Sequence, residues 1–245
     1  MQRDSQKLLL IKPKKLSSPY KIFTTTRLGG YSVGVYKSLN FGYFTGDDLI
    51  NIEKNYEALK DYTGIKRIIT LRQIHGSKVV VVDKNSASFK EGDALFTKAQ
   101  GVGLGILTAD CYSVQIVSKS GSIANLHCGW RSVYNGIIVN ALRHFQDEKI
   151  SNVVINVGIC EKCFEVKDDF INLTKKVFNL DKNLRKLNGC YFFDLRSEIE
   201  DIFLENGIEK NIIEHIRCCP KCDENFYSYR REKVTGRMIS MIVRD

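Results

Sequence analysis

Gly103-Leu104-Gly105-Ile106-Leu107, Tyr112-Ser113-Val114-Gln115-Ile116-Val117 and Ser122-Ile123-Ala124-Asn125-Leu126 follow one another within 24 residues, and their reading decides the fold class. Each is a short apolar run rich in β-branched residues, and Ser120-Gly121 supplies a turn between the last two, so all three read as strands. No helical pattern separates them, which a regular βαβ winding would require. Further along the chain strands and helices are interleaved. Strands are expected at Lys21 to Thr26, Lys78 to Val82, Val153 to Val157, Ile212 to Arg217 and Met238 to Val243. Helices are expected at Asp48 to Tyr62, Trp130 to Phe145, Phe170 to Leu180 and Leu195 to Asn206, the last capped by Asp194 and stopped by Gly207. The expectation is an α+β fold: a single domain of mixed β-sheets flanked by helices.

The 245 residues contain only three prolines, with no Gly/Ser linker, repeat or low-complexity stretch to divide the chain. Residues 1–20 form a basic N-terminal segment, and 21–245 are expected to be the catalytic domain. Apolar residues make up 43% of the chain, enough for a sizeable core, and no run of 18 apolar residues suggests a membrane span. The apolar patch Leu8 to Ile11 is too short for a secretory core, so the expected compartment is the cytoplasm. The formal net charge of +9 is diffuse. It reads as a lysine-rich surface that also attracts small anions such as phosphate, and not as a nucleic-acid interface, because no basic run is interleaved with aromatics.

Four histidines are few enough for each context to matter. His144 lies late in a helical stripe and His215 inside a strand-like run, and both read as structural. His75 precedes a β-branched strand, Cys111 sits at the junction between two strands, and His127 lies at a strand end just before a helix. Two imidazoles and a thiolate suit zinc, with a fourth position left for water or substrate, and zinc in such a shell lowers the pKa of bound water toward ~7. The spacing is not a local metal motif. A metal-free Cys111–His127 nucleophile pair, or a buried thiol with two satisfied imidazoles, fits the same residues. Two C-x-x-C pairs, Cys160/Cys163 and Cys219/Cys222, read as thiols, a disulfide or a second, structural zinc site. Cys190 has no obvious partner, and Cys218 complicates any simple pairing.

Several segments in order resemble the YfiH-like family, also called the laccase-domain or polyphenol-oxidoreductase family. They are Thr25-Thr26-Arg27-Leu28-Gly29-Gly30-Tyr31-Ser32, Ser38-Leu39-Asn40-Phe41-Gly42, Gln73-Ile74-His75-Gly76, Gly92-Asp93-Ala94-Leu95, Thr108-Ala109-Asp110-Cys111, His127-Cys128-Gly129-Trp130-Arg131, Phe226-Tyr227-Ser228-Tyr229-Arg230-Arg231 and Thr235-Gly236-Arg237. The resemblance implies the YfiH-like, cytotoxic-necrotizing-factor-like architecture and one catalytic zinc on His75, Cys111 and His127. It also implies phosphorolysis of adenosine, inosine and methylthioadenosine, with phosphate as co-substrate, and deamination of adenosine. Arg27 and Arg131 are the candidates for phosphate, through the planar guanidinium fork, and Asn40 for a ribose hydroxyl. Ser113, Ser132, Cys128 and the short Val157-Gly158-Ile159-Cys160 segment depart from the family pattern without touching the three ligands. The alternatives are a metal-free Cys/His hydrolase, a copper-dependent phenol oxidase and a non-enzymatic binding module. A multi-copper centre needs more imidazole than four histidines with no His-x-His pair provide.

Overall fold

The three apolar runs are strands Gly103–Thr108, Tyr112–Ser118 and Ile123–Cys128, but they do not share a sheet. The computed structural model describes residues 8–16 and 18–245. Gly103–Thr108 lies in a five-stranded sheet, between Met238–Arg244 and Ile68–Ile69, with Tyr20–Thr25 and Leu10–Ile11 completing the order. Tyr112–Ser118 and Ile123–Cys128 form the antiparallel centre of a six-stranded sheet. Ile150–Ile155 and Ile213–His215 extend that sheet on one side, Ala94–Thr97 and Val79–Val81 on the other. The outermost pair at each edge is parallel. The chain therefore changes sheets at Ala109–Cys111, where Asp110 takes a φ of 99°. A non-glycine residue in that region is uncommon and needs surrounding contacts to hold it.

The two sheets share an apolar interior made by Ile69, Leu104, Ile106 and Ile242 from one and Val80, Leu95, Val117 and Ile123 from the other. Helix Leu49–Thr63 covers the outer face of the five-stranded sheet with Ile52, Tyr56 and Leu59, set against Phe23, Ile239 and Met241. Its ends follow the sequence signals: Asp48 accepts a hydrogen bond from the Ile50 N–H, and Gly64 ends it with a φ of 71°. Helices Ile137–Leu142 and Leu195–Glu205 cover the six-stranded sheet, burying Ile137, Ile138, Ala141, Ile199 and Phe203 against Val114, Ile116, Leu126 and Val153. Each of the Ile, Leu, Val and Phe side chains among these contributes ~1.5–3 kcal/mol on burial.

Some expectations are corrected. The apolar stripe from Trp130 to Phe145 is not one helix. It splits into Trp130–Tyr134 and Ile137–Leu142, because Gly136 adopts a φ of 82° and a helix cannot continue through that conformation. The helix expected over Phe170 to Leu180 instead spans Asp168–Thr174; Asn179 then caps a separate turn, Leu180–Asn183. Strands Leu184–Leu187 and Cys190–Phe193, unassigned from the sequence, pair around Asn188-Gly189, both at positive φ as a two-residue hairpin turn requires. Leu8 is buried and Leu10–Ile11 adds an edge strand, so part of residues 1–20 packs with the sheets. Residues 1–7 and Ser17 of that basic segment lie outside the described residues. Among the described residues no helix is long and apolar enough to cross a membrane.

Candidate active site

His75, Cys111 and His127 meet although they lie on three separate segments, each offering a ligand atom within 4.8 Å of the others'. His127 is the penultimate residue of Ile123–Cys128 in the six-stranded sheet, Cys111 immediately precedes the neighbouring strand Tyr112–Ser118, and His75 stands on the turn after Leu71–Arg72. The two imidazole rings are 4.7 Å apart, centre to centre, and nearly perpendicular.

Asp93 organises this meeting. Its carboxylate is fully buried and accepts from the backbone N–H groups of Ile74, His75 and Gly76, at 3.2, 2.9 and 2.7 Å. It also lies 2.9 Å from Nδ1 of His127. The first three bonds hold the turn in which His75 sits at a φ of 59°. The fourth fixes the His127 ring with Nε2 directed away from the carboxylate, the usual arrangement of a metal-binding histidine and its supporting acid. Burial alone would raise the Asp93 pKa, but the His127 contact and the backbone donors outweigh it and lower it.

Burial likewise opposes ionisation of Cys111, yet the attraction of His127 and hydrogen bonds from both imidazoles bring its thiol down to about 6. Burial opposes the charged form of His127 too, but Cys111 and the Asp93 carboxylate outweigh it and raise this imidazole to about 9. The neighbouring Cys128 is buried in the helix-covered core, and burial pushes its thiol well above the ordinary range. Only one of the two thiols is therefore poised as a ligand or nucleophile. Gly129 completes the cradle: a Cβ there would stand 3.0 Å from Cys111 Sγ and 3.1 Å from the His75 ring. A thiolate, two imidazoles, a supporting carboxylate and a bare backbone beside them fit a zinc ion with an open position.

The trio opens into a cavity of about 690 Å³, the size of a small-molecule site. Tyr43, Phe44, Trp130, Phe164 and Tyr229 supply aromatic surface, and Arg131, Arg230, Lys233 and Arg237 supply positive charge. Among the described residues Asp110 is the one carboxylate on the lining. It accepts from the Ser228 hydroxyl at 2.7 Å and the Arg230 N–H at 2.6 Å, which ties the C-terminal loop to the crossover between sheets.

Arg131 lines the cavity, its guanidinium 4.4 Å from the Trp130 ring centre. Arg27 and Asn40 do not line it. Arg27 is paired with Glu232 at 2.7 Å, donates to the Lys37 carbonyl and lies over Tyr227. Asn40 is fully buried; its amide donates to Thr45 and Asp47, and its oxygen accepts from the Gly42 and Arg237 N–H groups. It shapes the loop that brings Tyr43 and Phe44 to the cavity. His144 packs on Phe96 and His215 pairs with Glu200, both away from the trio. Asp93, Gly129, Arg230, Lys233 and Arg237 were given no role from the sequence. Asp93, Gly129, Arg230 and Arg237 stand inside the short motifs that carry the family resemblance, which was the signal available for them.

The family model described as "Multi-copper polyphenol oxidoreductase laccase" matches residues 21–245. A protein named purine nucleoside phosphorylase from Aquifex aeolicus is 31% identical over 210 residues, covering 84% of this chain and 94% of that one. A protein named adenosine deaminase RL5, from an unknown prokaryotic organism, is 28% identical and covers 91% of this chain and 93% of its own length. The crystal structure of YlmD from Geobacillus stearothermophilus superimposes with a TM-score of 0.89 at 26% identity, covering 99% of this chain and 98% of that chain.

Proposed function

The chain belongs to the multi-copper polyphenol oxidoreductase laccase family, and from that premise we propose that it is a zinc-dependent purine nucleoside phosphorylase that also deaminates adenosine. The observation that carries the reading is one cavity in which a His/Cys/His ligand set, four cationic side chains and several aromatic rings converge. Two relatives named for these activities support it. Adenosine, inosine and methylthioadenosine are the proposed nucleosides and phosphate the co-substrate.

His75, Cys111 and His127 would hold the ion, with Asp93 fixing the His127 ring. When bound, zinc supplies Lewis-acid activation of an oxygen, the chemistry that hydrolytic loss of the adenine amino group requires. The protein's own residues account for the rest. Aromatic faces of Tyr43, Phe44, Trp130, Phe164 and Tyr229 suit a purine ring and exclude water around it. In phosphorolysis a phosphate oxygen bonds to the anomeric carbon as the bond from that carbon to the purine nitrogen breaks, and the purine leaves with the electron pair. Arg131 and Arg237 bind and orient the phosphate in this reading, with Arg230 and Lys233 adding to the positive field. Burial lowers the Arg237 pKa, and the nearby Cys111 and Asp110 oppose that shift. Arg27 and Asn40 act one step back. The first holds Glu232 beneath the C-terminal loop, and the second sets the loop that follows it.

The family name also raises a copper oxidase. The described residues place two imidazoles together in one metal-ligating group, and the second group has none. Several copper ions would need more. A thiol hydrolase has one observation in its favour, the lowered Cys111 pKa beside His127. Metal analysis separates it, since zinc bonded to Cys111 removes the free nucleophile. All eight cysteines are unpaired, which suits the reducing cytoplasm as the proposed compartment.

The deciding experiment incubates the protein with adenosine, with and without phosphate, and resolves adenine, inosine and hypoxanthine. Phosphate-dependent release of adenine together with a ribose phosphate supports phosphorolysis. Inosine formed without phosphate supports deamination. Neither product from a zinc-loaded chain would end this reading. Arg237→Ala should raise the phosphate KM about tenfold or more, as loss of a charge-assisted contact does. An unchanged phosphate KM would return Arg237 to a supporting role.

A further inference from the structure

The parallel pair Ile150–Ile155 and Ile213–His215 runs in register, with Ile155 opposite His215. Both strands leave the sheet at the same end, and a C-x-x-C segment follows each within a few residues. The segments are Cys160-Glu161-Lys162-Cys163 and Cys219-Pro220-Lys221-Cys222. The loops are joined before the cysteines by a Gly158 N–H donating to the Cys218 carbonyl. Side-by-side strands thus bring together two cysteine pairs that stand 59 residues apart.

The two segments fold into the same turn. In the first, the N–H groups of Cys163 and Phe164 donate to the Cys160 carbonyl at 2.9 and 3.0 Å. In the second, those of Cys222 and Asp223 donate to the Cys219 carbonyl at 3.1 and 3.0 Å. Each turn presents its two thiols to the other. All four sulfurs lie within 4.8 Å of one another, and Cys163 and Cys222 are 3.3 Å apart. A tetrahedral ion with metal–sulfur bonds of ~2.3 Å requires sulfurs roughly 3.8 Å apart. The Cys160 N–H also donates to Cys219 Sγ at 3.3 Å, a contact that stabilises a thiolate. None of the four is disulfide-bonded. Cys218 and Cys190 stand outside the group.

The geometry points to a second metal site, a structural zinc bound by the thiolates of Cys160, Cys163, Cys219 and Cys222. Four thiols lose their protons as the ion binds, and the resulting centre carries a net charge of −2. Each turn has a lysine immediately before its second cysteine, Lys162 and Lys221. The clasp joins two walls of the cavity. Ile159 and Phe164 flank the first turn and line it, and so do Tyr229 and Arg230 downstream of the second. Arg231 donates to the carbonyls of Pro220 and Lys221, so the second turn is also tied to the helix carrying Arg230.

The test is zinc content of the full chain purified under reducing conditions. Wild type should hold two zinc ions per chain, Cys163→Ser/Cys222→Ser one, and Cys111→Ala/His127→Ala one. X-ray absorption at the zinc edge of the Cys111→Ala/His127→Ala chain should show sulfur ligands only. That variant keeps the assignment testable even if the clasp variant does not fold. It also separates the two centres, because a sulfur-only zinc there stands whether or not the trio binds metal. No zinc in the Cys111→Ala/His127→Ala chain, nitrogen or oxygen in its shell, iron in place of zinc, or a loss of two hydrogens per cysteine pair in the intact mass would each overturn it.

Discussion

Asp93 is a single carboxylate that sets both a backbone turn and an imidazole ring, and replacing it tests how far the trio depends on that support. Asp93→Asn keeps the size of the side chain but turns half of it into a donor facing N–H groups. Zinc affinity of the trio should fall about tenfold to a hundredfold, as it does when a supporting carboxylate is lost. Competition against a coloured chelator measures it, and unaltered affinity would mean that the ring is held by something else. Gly129 tests the space instead of the charge. Its φ of −71° is open to any residue, so Gly129→Ala should change stability by less than about 1 kcal/mol. The new Cβ meets Cys111 and His75 at 3.0–3.1 Å, so the ligands must move apart. Reduced zinc occupancy in a normally stable chain is the expected result; full occupancy with full turnover would show that the trio has slack. Both residues stand inside the short motifs that carry the family resemblance, but which ligand each one serves is decided by contacts that only the folded chain brings together.

Among the secondary elements, the turn between Tyr112–Ser118 and Ile123–Cys128 shows how a local device fixes the two strands that carry Cys111 and His127. Glu148, on the segment before Ile150–Ile155, accepts from the hydroxyls of Ser118, Ser120 and Ser122 and pairs with Lys98. Its partial burial would raise its pKa, but these donors outweigh that and bring it down to about 2. A carboxyl whose folded pKa is depressed stabilises the fold above its unfolded value, near 4.5, and loses that contribution as pH falls toward 2. After allowance for solvent screening, Glu148→Gln should cost about 1–2 kcal/mol at neutral pH. The gap from wild type should close between pH 4.5 and 2 in denaturant titrations. A gap that stays constant across that range would show that the charge is not what counts. The interrupted helix after Trp130 teaches a related lesson. Its apolar stripe is real and faces the core, but Asn135-Gly136 is a stop signal inside it. Reading the stripe alone therefore overran the break. Asn188-Gly189 carries an equally plain turn signal, the dipeptide of a two-residue hairpin.

At the scale of the whole molecule, a buried polar network pins one sheet on the other. Asn125, in the strand that carries His127, donates to the carbonyls of Leu104 and Ser240 in the opposite sheet and accepts from Ser113. Gln115 donates to the Met241 carbonyl and accepts from Asn156, whose oxygen meets Thr24. These side chains are fully buried, so the network is worth having only while every member is satisfied. Asn125→Leu should destabilise the chain by about 2–4 kcal/mol by leaving buried carbonyls and a hydroxyl unpaired. A loss below about 1 kcal/mol in urea unfolding would mean that the sheets are held by apolar contact alone. Strand and helix identity, the capped end at Asp194, the α+β class and three candidate ligands were legible in the chain. Periodicity, capping chemistry and donor type are properties of neighbours in sequence. The change of sheet at Asp110, the convergence of His75, Cys111 and His127, the exclusion of Arg27 and Asn40 from the cavity and the entry of Arg237 into it were decided only in three dimensions. Each depends on which distant backbones pack together, and that is settled by burial and hydrogen bonding summed over both sheets, which no single segment encodes.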